Sequence, residues 1–295
     1  MFIKALIDNE PFLLYTYICL FMKTIIDNSR RSRIDLSEIR RYAGLMKNLA
    51  RRDVTVRYKQ TWMGMIWAMI RPVMNITIFG VLSMFINHSN DPASDFLKVG
   101  AGIIIWNLIT SCISDSSGSL LANANLLTKV YFPKIILPFS SVFVCLVDFA
   151  IAFAIYFICF LFFHGLPGPQ IFLLPVFVLL AVLFCLSIGF IFSSLNVKYR
   201  DVNFALPFIL QFAFYLSPVF LSTQFYLDKL PASLHKLFLL NPAVLILDGF
   251  RYCLFGTWEV FDPLCSGISV LIMIILFIFG IRYFQKFEKA FADFI

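Results

Sequence analysis

The chain has 295 residues, of which 60% are hydrophobic, 17% aromatic and only 14% charged, with a mean hydropathy of +0.87. Water-soluble domains carry about 45–50% apolar and about 25% charged residues, so this composition excludes an ordinary soluble globule. The net charge of +7 and pI near 9.0 come from basic residues set unevenly around apolar runs, which makes them a topology signal rather than a nucleic-acid footprint.

The amino-terminal stretch "PFLLYTYICLFM" (11–22) is apolar but short, and Lys23 follows it. A secretory signal is not expected there, because no small-residue cleavage site follows and the preceding basic region is weak. If 11–26 crossed the bilayer, the amino end would lie outside. Residues 30–59 interleave Arg and Lys with Ile34, Leu36, Ile39, Leu45, Met46 and Leu49, the pattern of an amphipathic helix lying at a membrane interface. Residues 1–60 are therefore expected to form a cytoplasmic or interfacial segment, and 61–295 a transmembrane domain.

Six apolar stretches follow, at about 62–86, 99–121, 138–163, 171–195, 204–222 and 263–284. Each approaches the roughly 20 residues that a helix needs to cross about 30 Å of hydrocarbon, and helices satisfy their own backbone in lipid. The expected fold is an all-α membrane protein of six spans. The connectors "NHSNDPASDFLK" and "HGLPGPQ" are poor in basic residues, whereas "NANLLTKVYFPKIIL" and "NVKYRDVN" carry Lys129, Lys134, Lys198 and Arg200. Twelve basic residues precede the first span, and Lys286 and Lys289 follow the last. Both termini are thus expected to be cytoplasmic. The fifth connector, about 223–262, is too polar to span and too apolar for an exposed loop. Its two short apolar runs, divided at Asn241-Pro242, suit re-entrant helices on the outer side, with a folded outer cap as the alternative.

No enzyme signature stands out. His88, His164 and His235 lack metal-site spacing, and neither a phosphate-binding G-x-x-x-x-G-K-[ST] loop nor a G-x-S-x-G elbow occurs. The seven cysteines read as small hydrophobes. What remains is polarity within the spans. Arg71 and Asn75 share a face with Trp67 on the first span; Asn107, Ser111, Ser114 and Asp115 lie close to one face of the second. Asp148 is on the third span, and Gln211 and Tyr215 are one turn apart on the fifth. A charge at membrane depth costs at least about 2.5–3.5 kcal/mol, so Arg71 is expected to face protein, water or substrate. Pairing with Asp115 between packed helices and the lining of a hydrated path both remain open. Exposed Tyr and Trp side chains suit either an interfacial belt or stacking on sugar rings.

Several segments together resemble the ABC-2-type permeases that export bacterial polysaccharides, most closely the O-antigen and lipopolysaccharide branch, with capsule and teichoic acid exporters as relatives. They are "LARRDVTVRYKQTWMGMIWAMIRPVMN", "NANLLTKVYFPKIILPFSSVFVCLVDF", "NVKYRDVNFALPFILQFAFYLSPVF", "LNPAVLILDGFRYCLFG" and "RYFQKFEKAFADFI". The resemblance runs from about residue 49 to the end, and the first 30 residues lie outside it. It implies a homodimeric permease in the bacterial inner membrane, served by two copies of an ABC ATPase subunit that uses ATP and magnesium. The permease itself would hold no cofactor or metal, and a lipid-linked glycan would pass between its two copies. It implies an ATPase-coupling loop at Asn123, Asn125, Lys129, Tyr131, Phe132, Pro133 and Lys134, and an outer gate at Asn241, Pro242, Gly249, Phe250 and Arg251. The pre-span helix would contribute Arg51, Arg52, Asp53, Arg57 and Tyr58 to the interface layer. Such permeases commonly have an uncharged residue at the position of Arg71, so the resemblance gives Arg71 no role.

At the cytoplasmic entrance, Arg51, Arg52, Arg57 and Lys59 would attract either a carrier diphosphate or anionic headgroups, the latter worth about 1 kcal/mol per basic residue. Competing readings are export of a capsule, teichoic acid, small molecule or lipid, and an intramembrane glycan transferase. The last would want clustered carboxylates or histidines at one membrane face.

Overall fold

The computed structural model describes residues 42–59, 65–87, 91–129, 132–199 and 201–288. The apolar 11–22 stretch, residues 30–41 of the amphipathic 30–59 pattern, Tyr131 and the last seven residues lie outside them, as do the side chains of Trp67 and Arg71. Every regular element among the described residues is helical. The longer helices are α1 (Ala43–Lys59), α2 (Met65–Asn87), α3 (Pro92–Ala122), α5 (Ile136–Phe163), α6 (Leu174–Lys198), α7 (Val202–Leu216), α10 (Pro242–Phe255) and α11 (Pro263–Glu288). Short helices α4 (Ala124–Lys129), α8 (Thr223–Lys229) and α9 (Ala232–Leu239) lie between them, and a turn of 3-10 helix, Pro169–Leu173, leads into α6.

Four helical stretches are long and apolar enough to cross a bilayer: Pro92–Ala122, Ile136–Phe163, Pro169–Lys198 and Pro263–Glu288. A fifth is counted if α9 and α10, bent by 75° against each other, form one broken span. Two boundaries differ from expectation. The first connector was read as a loop through Lys98, but α3 begins at Pro92, because the Asp91 side chain accepts from the Ser94 N–H and proline suits the first helical position. The stretch expected to span 204–222 stops being helical at Leu216. Ser217 precedes Pro218 and adopts an extended conformation (φ −111°, ψ 149°), as the proline ring demands.

The fifth connector forms three helices rather than two. Asn241 caps α10 by accepting from the Ala243 N–H at 3.0 Å, with Pro242 in the first turn. Gly256 ends α10 in the left-handed region (φ 74°), where a side chain would be strained. At the α9–α10 bend, the carbonyls of Leu239 and Leu240 accept from the Ser269 hydroxyl of α11.

The bundle is organised about α3, 72% of whose apolar window is buried, against 28%, 28% and 22% in the other three. It packs on α2, α5, α6, α7 and α10, while α6 lies between α3 and α11. Small residues permit this close approach, as lipid gives no hydrophobic drive between helices. A Cβ on Gly189 would come within 2.7 Å of Ser116 Cβ, and one on Gly280 within 2.5 Å of the Ser187 carbonyl oxygen. Aromatic rings fill the wider gaps. Phe149, Phe153, Tyr156 and Phe160 climb α5 and meet Phe250 and Phe255 of α10, and Phe79, Trp106, Phe214 and Phe220 join α2, α3 and α7.

Gly280→Ala sets a methyl group against backbone that cannot swing away, so it should destabilise the bundle by about 1–3 kcal/mol. Gly267→Ala on the same helix meets open space and should be neutral or slightly stabilising. Comparative unfolding of the two variants in detergent checks this. Equal stabilities would mean that α6 and α11 are not in backbone contact.

Candidate functional site

Most of the described basic residues collect at one end of the bundle, where α1, the α4 turn and the last turns of α6 and α11 lie. Helix α1 packs against α5 with Leu49 and Ala50 buried. Its Arg57 guanidinium turns inward to two carboxylates: Nη2 donates to Asp115 Oδ2 of α3 at 2.7 Å, and Nη1 donates to Asp148 Oδ2 of α5. The next residue, Tyr58, donates its hydroxyl to the other Asp148 oxygen. Burial and then this carboxylate push the Tyr58 phenol above its ordinary pKa. Burial works against the Arg57 charge, but the two carboxylates outweigh it and shift its pKa upward. The sequence left Asp115 as one possible partner of Arg71, whose side chain lies outside the described residues; among those described, the cation on Asp115 is Arg57.

Five residues before Arg57, Arg52 donates to Asn123 Oδ1 at 2.8 Å and pairs with Asp53 at 2.7 Å. Asn123 closes α3, and its amide donates to the Ser119 carbonyl. The five residues expected at the entrance thus divide. Arg57 and Tyr58 serve the helices, Arg52 serves the α3–α4 turn, and Arg51 and Lys59 remain exposed with no ion pair among the described residues.

In the expected coupling loop, Asn125 and Lys129 are exposed on α4, Pro133 is half-buried and Phe132 is buried. The backbone N–H of Lys134 donates to Glu288 Oε1 at 3.1 Å, and its ammonium donates to the Glu288 carbonyl at 3.0 Å. The loop is thereby strapped to the end of α11.

On α3, the only positions between Ala101 and Leu120 that escape burial are Asn107, Thr110, Ser111, Ser114, Asp115 and Gly118. Their spacing of three and four residues sets them along one face, so the most buried helix keeps one hydrophilic strip open. Asn107 follows Trp106, Asn75 lies one turn before Phe79, and Gln211 lies three residues before Phe214. All three therefore sit within a turn of the Phe79–Phe214–Trp106 junction. The Asn107 amide nitrogen is buried with no partner among the described residues. Gln211 and Tyr215 are exposed on α7, which also presents Phe204, Phe208 and Phe212.

At the far end, the expected gate residues are mostly core. Arg251 is 6% exposed; its Nη2 donates to the Val219 carbonyl at 2.6 Å and its Nε to the Lys98 carbonyl at 3.2 Å. Asp248, one turn earlier, accepts from the Thr223 hydroxyl at 2.6 Å and faces Arg251 at 3.7 Å. Gly249 lets the Phe177 ring lie against α10, since a Cβ there would be 1.9 Å from it, and Phe250 is fully buried. Asp148 is singled out by the sequence only as a polar residue within a span, and Glu288, Thr223 and Asp248 are not singled out at all. Each acts across more than twenty residues of chain, and only the acidic Asp148 in an apolar run carried a signal.

Residues 45–255 match the family described as ABC-2 type transporter. An O-antigen export system permease protein RfbA of Myxococcus xanthus is 25% identical over 214 residues, 72% of this chain and 81% of that protein. Two proteins of the same name from Klebsiella pneumoniae are 24% and 25% identical, each over 84% of this chain and 94% of their own. The matched region takes in α1, the α4 turn, the polar strip of α3 and the buried α10, and the chain belongs to the ABC-2 type transporter family.

Proposed function

We propose that this chain is the membrane subunit of an ABC exporter that moves a lipid-linked polysaccharide of the O-antigen type across the bacterial inner membrane. The observation that carries this reading is the match to the Klebsiella permeases over 94% of their length. The chain would work as two copies with two copies of a separate ATPase, which binds ATP and magnesium and performs the only covalent chemistry. In this reading α2 and α7 complete six spans with the four long helices, both termini are cytoplasmic, and α9–α10 re-enter from the outer side.

The parts then have physical tasks. The exposed Asn125 and Lys129 would meet the ATPase, with Phe132 and Pro133 stiffening the turn beneath them. Arg51 and Lys59, uncommitted to any carboxylate among the described residues, are available to a carrier diphosphate at the cytoplasmic surface, where compact anions are well held by arginine. The strip from Asn107 to Gly118 offers hydroxyl and amide groups to a polyhydroxyl chain, and the exposed α7 aromatics offer flat faces to its C–H surfaces. Helix α10, buried along its length, is a poor candidate for the moving part of an outer gate; α9, exposed over most of its surface, is a better one.

Deletion of the gene should remove the surface polysaccharide and accumulate its lipid-linked form inside, as read by glycan gels and carrier analysis. Intact surface polysaccharide in the deletion strain overturns the reading. Within the strip, Ser114 is exposed, so Ser114→Trp should leave the protein's membrane level unchanged while cutting export to a small fraction of the parent. Normal export by that variant would remove the strip from the path.

A further inference from the structure

The joint between α1 and the bundle has a chemistry that goes beyond docking an amphipathic helix. Asp115 and Asp148 lie within two of the apolar, span-length helices, where an uncompensated carboxylate is costly. The ion pairs that both make among the described residues are with Arg57 of α1. A guanidinium is a rigid planar fork with five donors, so one arginine can hold carboxylates on two different helices in fixed directions; an ammonium is a point charge and cannot. Tyr58 adds a second bond to Asp148, which sets the rotation of α1 about its own axis.

A second attachment lies further along. Arg52 and Arg57 are five residues apart, about 7.5 Å along α1, and their partners on α3, Asn123 and Asp115, are eight apart, about 12 Å. A rod held at two separated points cannot pivot. We infer that Arg57 is the positioning residue that locks α1, α3 and α5 into one rigid lever, so that motion of the α4 turn reaches the α3 polar strip through this charge-paired joint rather than through flexible chain. Opening the joint would leave two carboxylates within the spans, only 35% and 25% exposed, without their cation at once, so it stays closed through the cycle and the moving boundary lies elsewhere. Asp115 belongs to the strip as well as to the joint, which makes the strip turn with α1. The export part of this inference rests on the exporter reading above; the rigidity part does not.

Two measurements separate the cases. In the complex of permease and ATPase, Arg57→Lys keeps the charge but loses the fork. It is expected to leave membrane level and ATP hydrolysis within about twofold of the parent and to lower export by about tenfold. The exchange Arg57→Asp with Asp148→Arg should recover part of that loss. Export by Arg57→Lys at the parent level overturns the joint, as does a loss of export that only tracks a loss of protein from the membrane.

The second measurement needs no substrate. Spin labels at Val56→Cys and Val147→Cys, both exposed positions flanking the joint, should give one narrow distance with and without ATP in the parent, and a broadened one in Arg57→Lys. A parent distance that shifts with ATP means that α1 moves against α5, and the lever is then wrong whatever the exporter carries.

Discussion

A charged group inside an apolar helix must find its partner on another element, and this requirement organises both ends of the molecule. Asp115 and Asp148 draw Arg57 of α1 onto the bundle at one end. At the other, Asp248 and Arg251 of α10 reach Thr223 and Val219 on one stretch of chain and Lys98 on another. Leaving Asp248 or Arg251 unpaired in a low-dielectric interior would cost several kcal/mol, whereas the Arg57 pairs are partly open to solvent and hold more by direction than by energy. The connections are therefore specific in a way that packing of apolar surfaces is not.

Between the two charged ends, adhesion comes from shape. Helices in lipid gain little from burying apolar area against one another, so they rely on close backbone approach and on dispersion between well-fitted rings. Gly189 against Ser116 and Gly280 against Ser187 bring α3, α6 and α11 together. The aromatic ladder of α5 does the same for α10, and this gives much of the chain's phenylalanine a structural use. A core built in this way is stiff, which suits a machine that must move as a few bodies.

The polar strip of α3 gains meaning from that stiffness. It is the one open face on the most buried helix, and it includes Asp115, the residue that also anchors α1. Displacement of the α4 turn, tied to α1 through Asn123 and to α11 through Lys134 and Glu288, is thus linked by short polar contacts to the face most suited to a hydrophilic cargo. Elements with little burial, α7 and α9, are the ones left to adjust.

The sequence by itself determined the solvent in which this protein works, its helical class, the four longest apolar helices and the family. These follow from composition and from runs of neighbouring residues, which are local properties. It also marked Arg57 and Asp115 as residues of interest, because a charge beside or within an apolar run is conspicuous, and the family resemblance added Arg251. Local pattern does not say which charge meets which. Arg57 lies 58 residues from Asp115 and 91 from Asp148, too far for local pattern to join them. Only the tertiary structure, by folding α1 back along α5, decided that pairing. It likewise turned the expected gate residues of α10 into core, since Gly249 and Phe250 declare their neighbours, Phe177 and the α5 ladder, only once three helices are stacked. Side-chain reach and charge satisfaction act through space, and the order of residues along the chain does not encode them one by one.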